Sequence, residues 1–290
     1  MDSAGAIRAA VSAGPVLMPG VYDALSARLA RDAGFEVLFV SGFAVAASRM
    51  AAPDLGYVAL SDMADAGRAV ARIGGGPVIV DADTGYGNAL SARHTADTLA
   101  RSGAAGIFLE DQVWPKRCGH FAGKRVVARD EWLGKLKAVI DWRDETGLDL
   151  YLVARTDARA AVGLDEAIAR AQAARDLGVD AAFVEAPQSE DELRRVHTEV
   201  DGVTLVANMI EGGRTPLYTP SELDGLGYRL IVSPLTGLMA AARAIETAME
   251  RLKEDGVLRE AGELLMGFEE FEKVTRMEDH RARGERYASD

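Results

Sequence analysis

Short apolar runs alternate with amphipathic segments along almost the whole chain. The runs are Val16–Pro19, Val37–Ser41, Pro77–Asp83, Gly106–Asp111, Leu150–Asp157, Ala181–Glu185, Thr204–Asn208 and Arg229–Ser233. Most are rich in Val, Ile, Leu or Phe and end in a polar residue or glycine. Near-continuous apolarity suits parallel strands buried on both faces, since half-solvated strands alternate instead. Between the runs lie helical patterns, among them Leu25–Ala33, Ser91–Arg101, Asp165–Leu177 and Ser221–Leu226. Gly34 and Gly178 stand where a helix ends on a left-handed residue. Eight such units in succession predict an α/β fold, a (β/α)8 TIM barrel rather than an open Rossmann sheet. The Rossmann alternative wants Gly-x-Gly-x-x-Gly after the first strand, and Pro19-Gly20-Val21-Tyr22-Asp23 stands there. Gly74-Gly75-Gly76 precedes the third strand and reads as a flexible turn.

After the eighth strand a helical pattern runs from about Leu238 to Lys253, breaks at Gly256 and resumes near Leu264, Met266, Phe268 and Phe271. Beyond Met277 the tail is charged and aperiodic, a pattern that suits poor order. Residues 1–290 therefore read as a single barrel domain with a helical extension from about residue 257. That extension has to bury its apolar face either on its own barrel or on a neighbouring subunit.

Composition narrows the partners. Acidic residues outnumber basic ones by 45 to 33, and a formal charge of −12 argues against nucleic-acid or anionic-membrane binding. An anionic small molecule stays possible, because a few local cations can dominate one pocket. The single cysteine excludes an internal disulfide framework and points to a reducing compartment. With no signal-peptide pattern at the N-terminus and no membrane-length apolar run, a cytoplasmic protein is the expectation.

Active sites of such barrels lie at the C-terminal strand ends. That rule selects Tyr22, Ser41, Asp81, Asp83, Glu110, Arg155, Glu185 and Asn208. The acids suit Mg²⁺, or Mn²⁺, whereas zinc would call for a Cys/His pattern. The cysteine itself lies in Lys116-Arg117-Cys118-Gly119-His120, where neighbouring positive charge favours a thiolate. Blander readings exist. Asp81 and Asp83 read equally well as a strand-end turn that caps the next helix, and Arg155 with Glu185 as a structural ion pair. His94, His197 and His280 fall on helix surfaces and receive no role.

Pro53-Asp54-Leu55-Gly56, Asp81-Ala82-Asp83-Thr84-Gly85-Tyr86-Gly87, Glu110-Asp111-Gln112, the Cys118 segment, Arg155-Thr156-Asp157-Ala158 and Asn208–Pro216 together resemble the isocitrate lyase/phosphoenolpyruvate mutase superfamily. The resemblance spans about Val16 to Lys253. It implies a Mg²⁺-dependent barrel acting on 2-hydroxy or 2-oxo di- and tricarboxylates. Asp54, Asp81, Asp83 and Glu110 would form the metal site, some through waters. Ser41, Gly42, Phe43, Arg155, Glu185 and Asn208 would hold substrate, joined by Gly119 and His120 from a mobile lid. Tyr22 would take the C2 hydroxyl proton, Cys118 would protonate the carbanion left by retro-aldol cleavage, and Lys116 and Arg155 would assist. A homotetramer, a dimer of helix-swapped dimers, is the implied assembly.

Two departures bear on substrate. Phe108 stands where methylisocitrate lyases typically carry His, and Glu211-Gly212-Gly213 replaces their usual Glu-Phe-Gly. Phe43 also replaces a smaller residue. These features look more like the dimethylmalate and alkylmalate lyase branch. The leading expectation is a carbon–carbon lyase acting on 2-methylisocitrate or a 2-alkylmalate. The alternatives are oxaloacetate hydrolysis, a carboxyphosphonoenolpyruvate-type mutase and, last, a non-catalytic carboxylate-binding barrel.

Overall fold

A computed structural model describes residues 3–116, 123–259 and 262–288. Eight strands form: β1 (Val16–Val21), β2 (Leu38–Val40), β3 (Val78–Asp81), β4 (Gly106–Glu110), β5 (Tyr151–Thr156), β6 (Ala181–Val184), β7 (Thr204–Asn208) and β8 (Tyr228–Ser233). They close into one parallel barrel in sequence order, with β1 pairing β8 through Val16↔Leu230 to Pro19↔Ser233. Each strand overlaps one apolar run of the sequence, so the (β/α)8 expectation holds. Continuous burial is the reason: every residue of β2, β3, β4 and β6 is buried.

The barrel interior is filled by side chains from alternating positions. Phe39, Phe108 and Phe183 pack across it in a tilted and an edge-on pair, with ring centroids 4.9 Å and 5.8 Å apart. Aromatic pairs at such spacings add about 0.5–1.5 kcal/mol beyond area burial. An N-terminal helix, Ser3–Ala13, contributes Ala4, Ile7 and Val11 to the same cluster, together with Met18, Tyr151 and Leu230. It plugs the end of the barrel opposite the strand C-termini, an element the run pattern did not single out. Two further clusters lie between strands and outer helices, one around Trp132, Leu136 and Trp142 and one around Ile168, Leu193 and Tyr228.

Two expectations change. The Gly74–Gly76 turn is tied down: Arg31 donates to the carbonyls of Gly74, Gly76, Pro77, Phe35 and Glu36 at 2.6–3.1 Å. One guanidinium fork replaces the ladder bonds this glycine-rich bend lacks. The charged tail is helical over Met277–Glu285, with Glu278 and Asp279 in its first turn and Arg283 in its last. That charge order complements the helix dipole and stands in for apolar periodicity.

The chain forms two compact units, Met1–Gly237 and Leu238–Asp290. The second comprises the continuation of the helix Thr236–Asp255 and the helices Phe268–Val274 and Met277–Glu285. Among the described residues no helix is long and apolar enough to cross a membrane.

Candidate active site

The C-terminal mouth of the barrel gathers side chains from seven strand ends and two loops. Ser41 follows β2 directly and caps the helix Gly42–Met50, its Oγ accepting from Ala44 N at 3.3 Å. The cap fixes the helix start, so its free N–H groups lie beside the acids of β3. At Gly42 a Cβ would stand 3.1 Å from Asp81 Oδ2 and 3.4 Å from Asp83 Oδ1. Any larger residue would crowd the carboxylates.

Asp81 ends β3 and Asp83 lies in the turn beyond it. Asp83 and Tyr86 hold φ of 46° and 56°, a region that costs non-glycine residues energy and persists where surroundings over-determine it. Asp81 Oδ1 accepts from Asp83 N at 3.1 Å, and the Tyr86 hydroxyl reaches Asp83 Oδ2 at 3.4 Å. The following helix, Ala89–Arg101, is capped by Asn88. The capping explanation for Asp81 and Asp83 therefore falls away.

Asp54, Asp81, Asp83, Glu110 and Glu185 are all buried at this mouth, with Asp157 just behind. Among the described residues three cations, Lys116, Lys124 and Arg155, face these six acids. Lys116 Nζ lies 2.6 Å from Asp54 Oδ1 and 2.8 Å from Asp83 Oδ1. Burial would lower its pKa, but Asp83, Asp54, Asp81 and Glu110 outweigh that and keep the ammonium charged. Arg155 faces Asp157 at 3.0 Å, Glu185 at 3.2 Å and Glu110 at 3.3 Å, so the expected ion pair with Glu185 forms as part of a larger set. Its guanidinium also lies over the Phe183 ring, 5.5 Å from the centroid. Asn208 Nδ2 donates to Glu185 at 3.2 Å.

The excess of acid has electrostatic consequences. Burial lifts the Asp83 carboxyl to about 7, with Asp81 and Asp54 adding to the rise and Lys116 opposing it. Burial likewise holds Glu110 well above the usual carboxylate range. Glu110 Oε1 and Asn208 Oδ1 have no hydrogen-bond partner among the described residues. A buried, all-oxygen donor set with surplus negative charge and an unpartnered carboxylate oxygen fits a hard divalent cation. As placed, no three acids or histidines converge on one point among the described residues. The Lys116 ammonium lies between Asp54 and Asp83 instead.

The cavity at this mouth has a mixed lining. Ser41, Asp54, Asp81, Lys116, Arg155, Glu185 and Asn208 supply its polar groups. Phe43, Ile210, Val232, Pro234 and Leu235 supply apolar ones, together with Phe39, Phe108 and Phe183 of the barrel interior. Gly20 permits the close passage of Pro234, whose carbonyl oxygen would lie 1.9 Å from a Cβ there.

Most expected site residues thus meet in one place: Ser41, Asp81, Arg155, Glu185 and Asn208 from the strand-end rule and Phe43 and Asp54 from the resemblance line the cavity, Glu110 and Asp83 pair with its cations, and Gly42 abuts the acids. Tyr22 is not among the lining residues. Its ring packs on the outer core cluster, and burial, then Asp23, raises its pKa, so the phenol is neutral at ordinary pH. Cys118, Gly119 and His120 lie outside the described residues. The strand-end rule missed the apolar lining, because Ile210, Pro234 and Leu235 sit past the polar strand ends. It also missed Lys124 and Asp157, although Asp157 belongs to the Arg155-Thr156-Asp157-Ala158 motif.

A family model described as phosphoenolpyruvate phosphomutase matches residues 8–253. The chloroplastic carboxyvinyl-carboxyphosphonate phosphorylmutase of Arabidopsis thaliana is 47% identical, over 90% of this chain and 77% of its own length. The 2,3-dimethylmalate lyase of Eubacterium barkeri is 38% identical over 94% of both chains. The 2-methylisocitrate lyase of Bacillus subtilis (strain 168) is 40% identical over 89% of this chain and 84% of its own. Among solved structures, an oxaloacetate acetylhydrolase bound to 3,3-difluorooxalacetate superposes with a TM-score of 0.93 at 34% identity, covering 99% of this chain and 98% of that one. A phosphonopyruvate hydrolase with oxalate and Mg²⁺ gives 0.87 at 29% identity, covering 99% of each.

Proposed function

This chain belongs to the phosphoenolpyruvate mutase/isocitrate lyase superfamily, and from that premise we propose that it is a Mg²⁺-dependent carbon–carbon lyase. Its substrate would be a 2-hydroxy di- or tricarboxylate of the 2-alkylmalate or 2-methylisocitrate type. The observation that supports this reading is the mixed lining of the cavity, where acids, Arg155 and Asn208 share one space with Phe43, Ile210, Val232, Pro234 and Leu235. A 2-alkylmalate, with a carboxylate at each end of its chain and an alkyl branch on C2, would meet both kinds of lining residue.

Arg155 would hold one carboxylate as a charge-assisted donor. Ser41 and the backbone N–H groups at the start of the helix Gly42–Met50 would take another, as helix N-termini do for anions. Asp54, Asp81, Asp83 and Glu110 would hold the metal, which when bound supplies a Lewis acid for the charge developing on the C2 oxygen. The C2 hydroxyl proton passes to a base, for which Tyr22 is the candidate. The neutral resting phenol requires nearby positive charge to ionise for that task. As the C2–C3 bond breaks, its electron pair stays on C3 and C2 becomes the carbonyl of a 2-oxo acid. Cys118 then gives its proton to C3. The phenylalanines of the lining exclude water from that carbanion.

The decisive assay couples pyruvate formation to lactate dehydrogenase, with Mg²⁺ and separate 2-methylisocitrate, 2,3-dimethylmalate and other alkylmalate substrates. Pyruvate from one of them, abolished by EDTA, supports the lyase. Silence across the panel rejects it. The fit to oxaloacetate acetylhydrolase favours a second reading, tested by oxalate release from oxaloacetate. Likeness to the phosphorylmutase of Arabidopsis thaliana favours a third, tested by ³¹P NMR on a carboxyphosphonate.

The same reading extends to a homotetramer that exchanges its C-terminal helices. The exposed apolar side chains Met239, Ile245, Met249, Leu252 and Phe268 support it, and a monomer by light scattering rejects it.

A further inference from the structure

We propose that Lys124 is a positioning residue for Arg155, acting through Asp157; the inference rests on the reading of Arg155 as a substrate-carboxylate contact. Lys124 Nζ donates to Asp157 Oδ1 at 2.6 Å, and both side chains are almost wholly excluded from solvent. Asp157 in turn accepts from Arg155 Nε at 3.0 Å through Oδ2 and from Nη2 at 3.3 Å through Oδ1. One carboxylate thus grips the fork of Arg155 at two points while a lysine holds the same carboxylate through Oδ1, the oxygen it shares with Arg155 Nη2.

The backbone around this relay is equally constrained. Asp111 Oδ1 accepts from Asp157 N at 2.8 Å, and Asp111 Oδ2 accepts from Thr156 Oγ1 at 2.6 Å and from Arg170 at 3.1 Å. Lys124 is delivered by a stem: Gln112 bridges Val126, Val113 N donates to Arg125 O at 2.8 Å, and Val127 N donates to Asp111 O at 2.9 Å. Arg170 Nη2 also donates to Val127 O at 2.9 Å. The ends of β4 and β5, the stem and the helix Leu164–Leu177 therefore meet around Asp157.

Charge explains why a lysine is needed there. Arg155 is surrounded by Asp157, Glu185 and Glu110, all buried. Without Lys124, Asp157 would draw on Arg155 for its only strong compensation, and less of the guanidinium's field would reach the cavity. With Lys124 present, Asp157 is shared between two cations. Burial alone would raise its pKa, but Arg155 and Lys124 together hold it at about 2, so the relay stays ionised throughout the working range. Residues one step removed from a ligand commonly change affinity by about 10–100-fold when cut away.

The test uses oxalate as probe, measured by isothermal titration calorimetry on the full chain with saturating Mg²⁺, with melting temperature recorded in parallel. K124M is expected to weaken oxalate by about tenfold or more, with K124R restoring most of the affinity and R155M losing at least as much as K124M. If K124M does not fold, the K124M/D157N pair leaves no unpaired buried charge and, because the carboxylate grip on the Arg155 fork goes with it, is expected to show a loss of the same order. Wild-type oxalate affinity in a folded K124M or K124M/D157N variant, with or without a lowered melting temperature, overturns the proposal. If that happens while R155M still loses binding, the site reading survives. Wild-type affinity in R155M overturns both.

Discussion

The two ends of the barrel use the same side chains to opposite effect. At the N-terminal end, Asp180 accepts from Arg8 Nε at 2.8 Å, Arg143 Nη1 at 2.6 Å and Leu152 N at 2.8 Å, while Arg8 also pairs with Asp149. Arg31 nearby saturates five carbonyls. The charged groups named there all have hydrogen-bond partners. Among the described residues of the C-terminal end, six buried acids face three cations, Glu110 Oε1 is unpartnered, and Asp83, Tyr86 and Ala186 hold left-handed backbone angles. A fold with nothing to bind would gain stability by relaxing that end. The contrast shows where stability was given up for chemistry.

The largest effect expected from breaking this contrast is at Asp83. D83A, or metal removal by EDTA, should lower turnover by about a thousandfold or more, read in the pyruvate-coupled assay. Metal-independent turnover in D83A would contradict the chelation model. Next, D180A should cost about 2 kcal/mol in urea unfolding, because it removes a carboxylate shared by Arg8, Arg143 and the Leu152 N–H, although Arg8 keeps Asp149 and Arg143 keeps the Leu150 carbonyl. E110Q should be neutral or up to about 1 kcal/mol stabilising while activity collapses. Equal destabilisation by D180A and E110Q would erase the distinction between the two ends.

An effect of similar size is pH-dependent. The Asp157 carboxyl is held at about 2, below its unfolded value, so its contribution is fully present above about pH 4 and is lost as pH falls through 2. That contribution is about 2 kcal/mol, and D157N should flatten the fall in stability between pH 4 and pH 2. An unchanged slope in D157N would mean other groups carry the acid transition. Smallest is R68A, which removes an exposed Arg68–Asp65 pair at 2.7 Å and should shift stability by less than about 0.5 kcal/mol.

Much of the site was legible because barrel geometry ties function to strand ends. A polar residue closing an apolar run, such as Asp81 after Val78-Ile79-Val80 or Glu110 after Ile107-Phe108-Leu109, is visible as a break in pattern. The apolar lining of Ile210, Pro234 and Leu235 carries no such break, since a pocket-lining Leu and a core Leu look alike along the chain. The position of Lys116 was no more readable. Its neighbours suggest a cation for the Cys118 thiol, yet its ammonium lies between Asp54 and Asp83, contacts from distant loops.

By itself the sequence determined the eight strands, their order and the acids and arginine at their ends, because hydrophobic periodicity and turn chemistry are local properties of neighbouring residues. It also determined the family, through motifs spread from Pro53 to Pro216. Only the tertiary structure decided which charges meet: that Arg155 is shared among three acids, that Lys124 pairs with Asp157, and that the two ends of the barrel differ in how their charges are matched. Coulomb and hydrogen-bond energies depend on distances of a few ångströms and on exclusion of water. Barrel closure sets both by bringing together residues such as Lys116 and Asp54, which lie far apart in the chain.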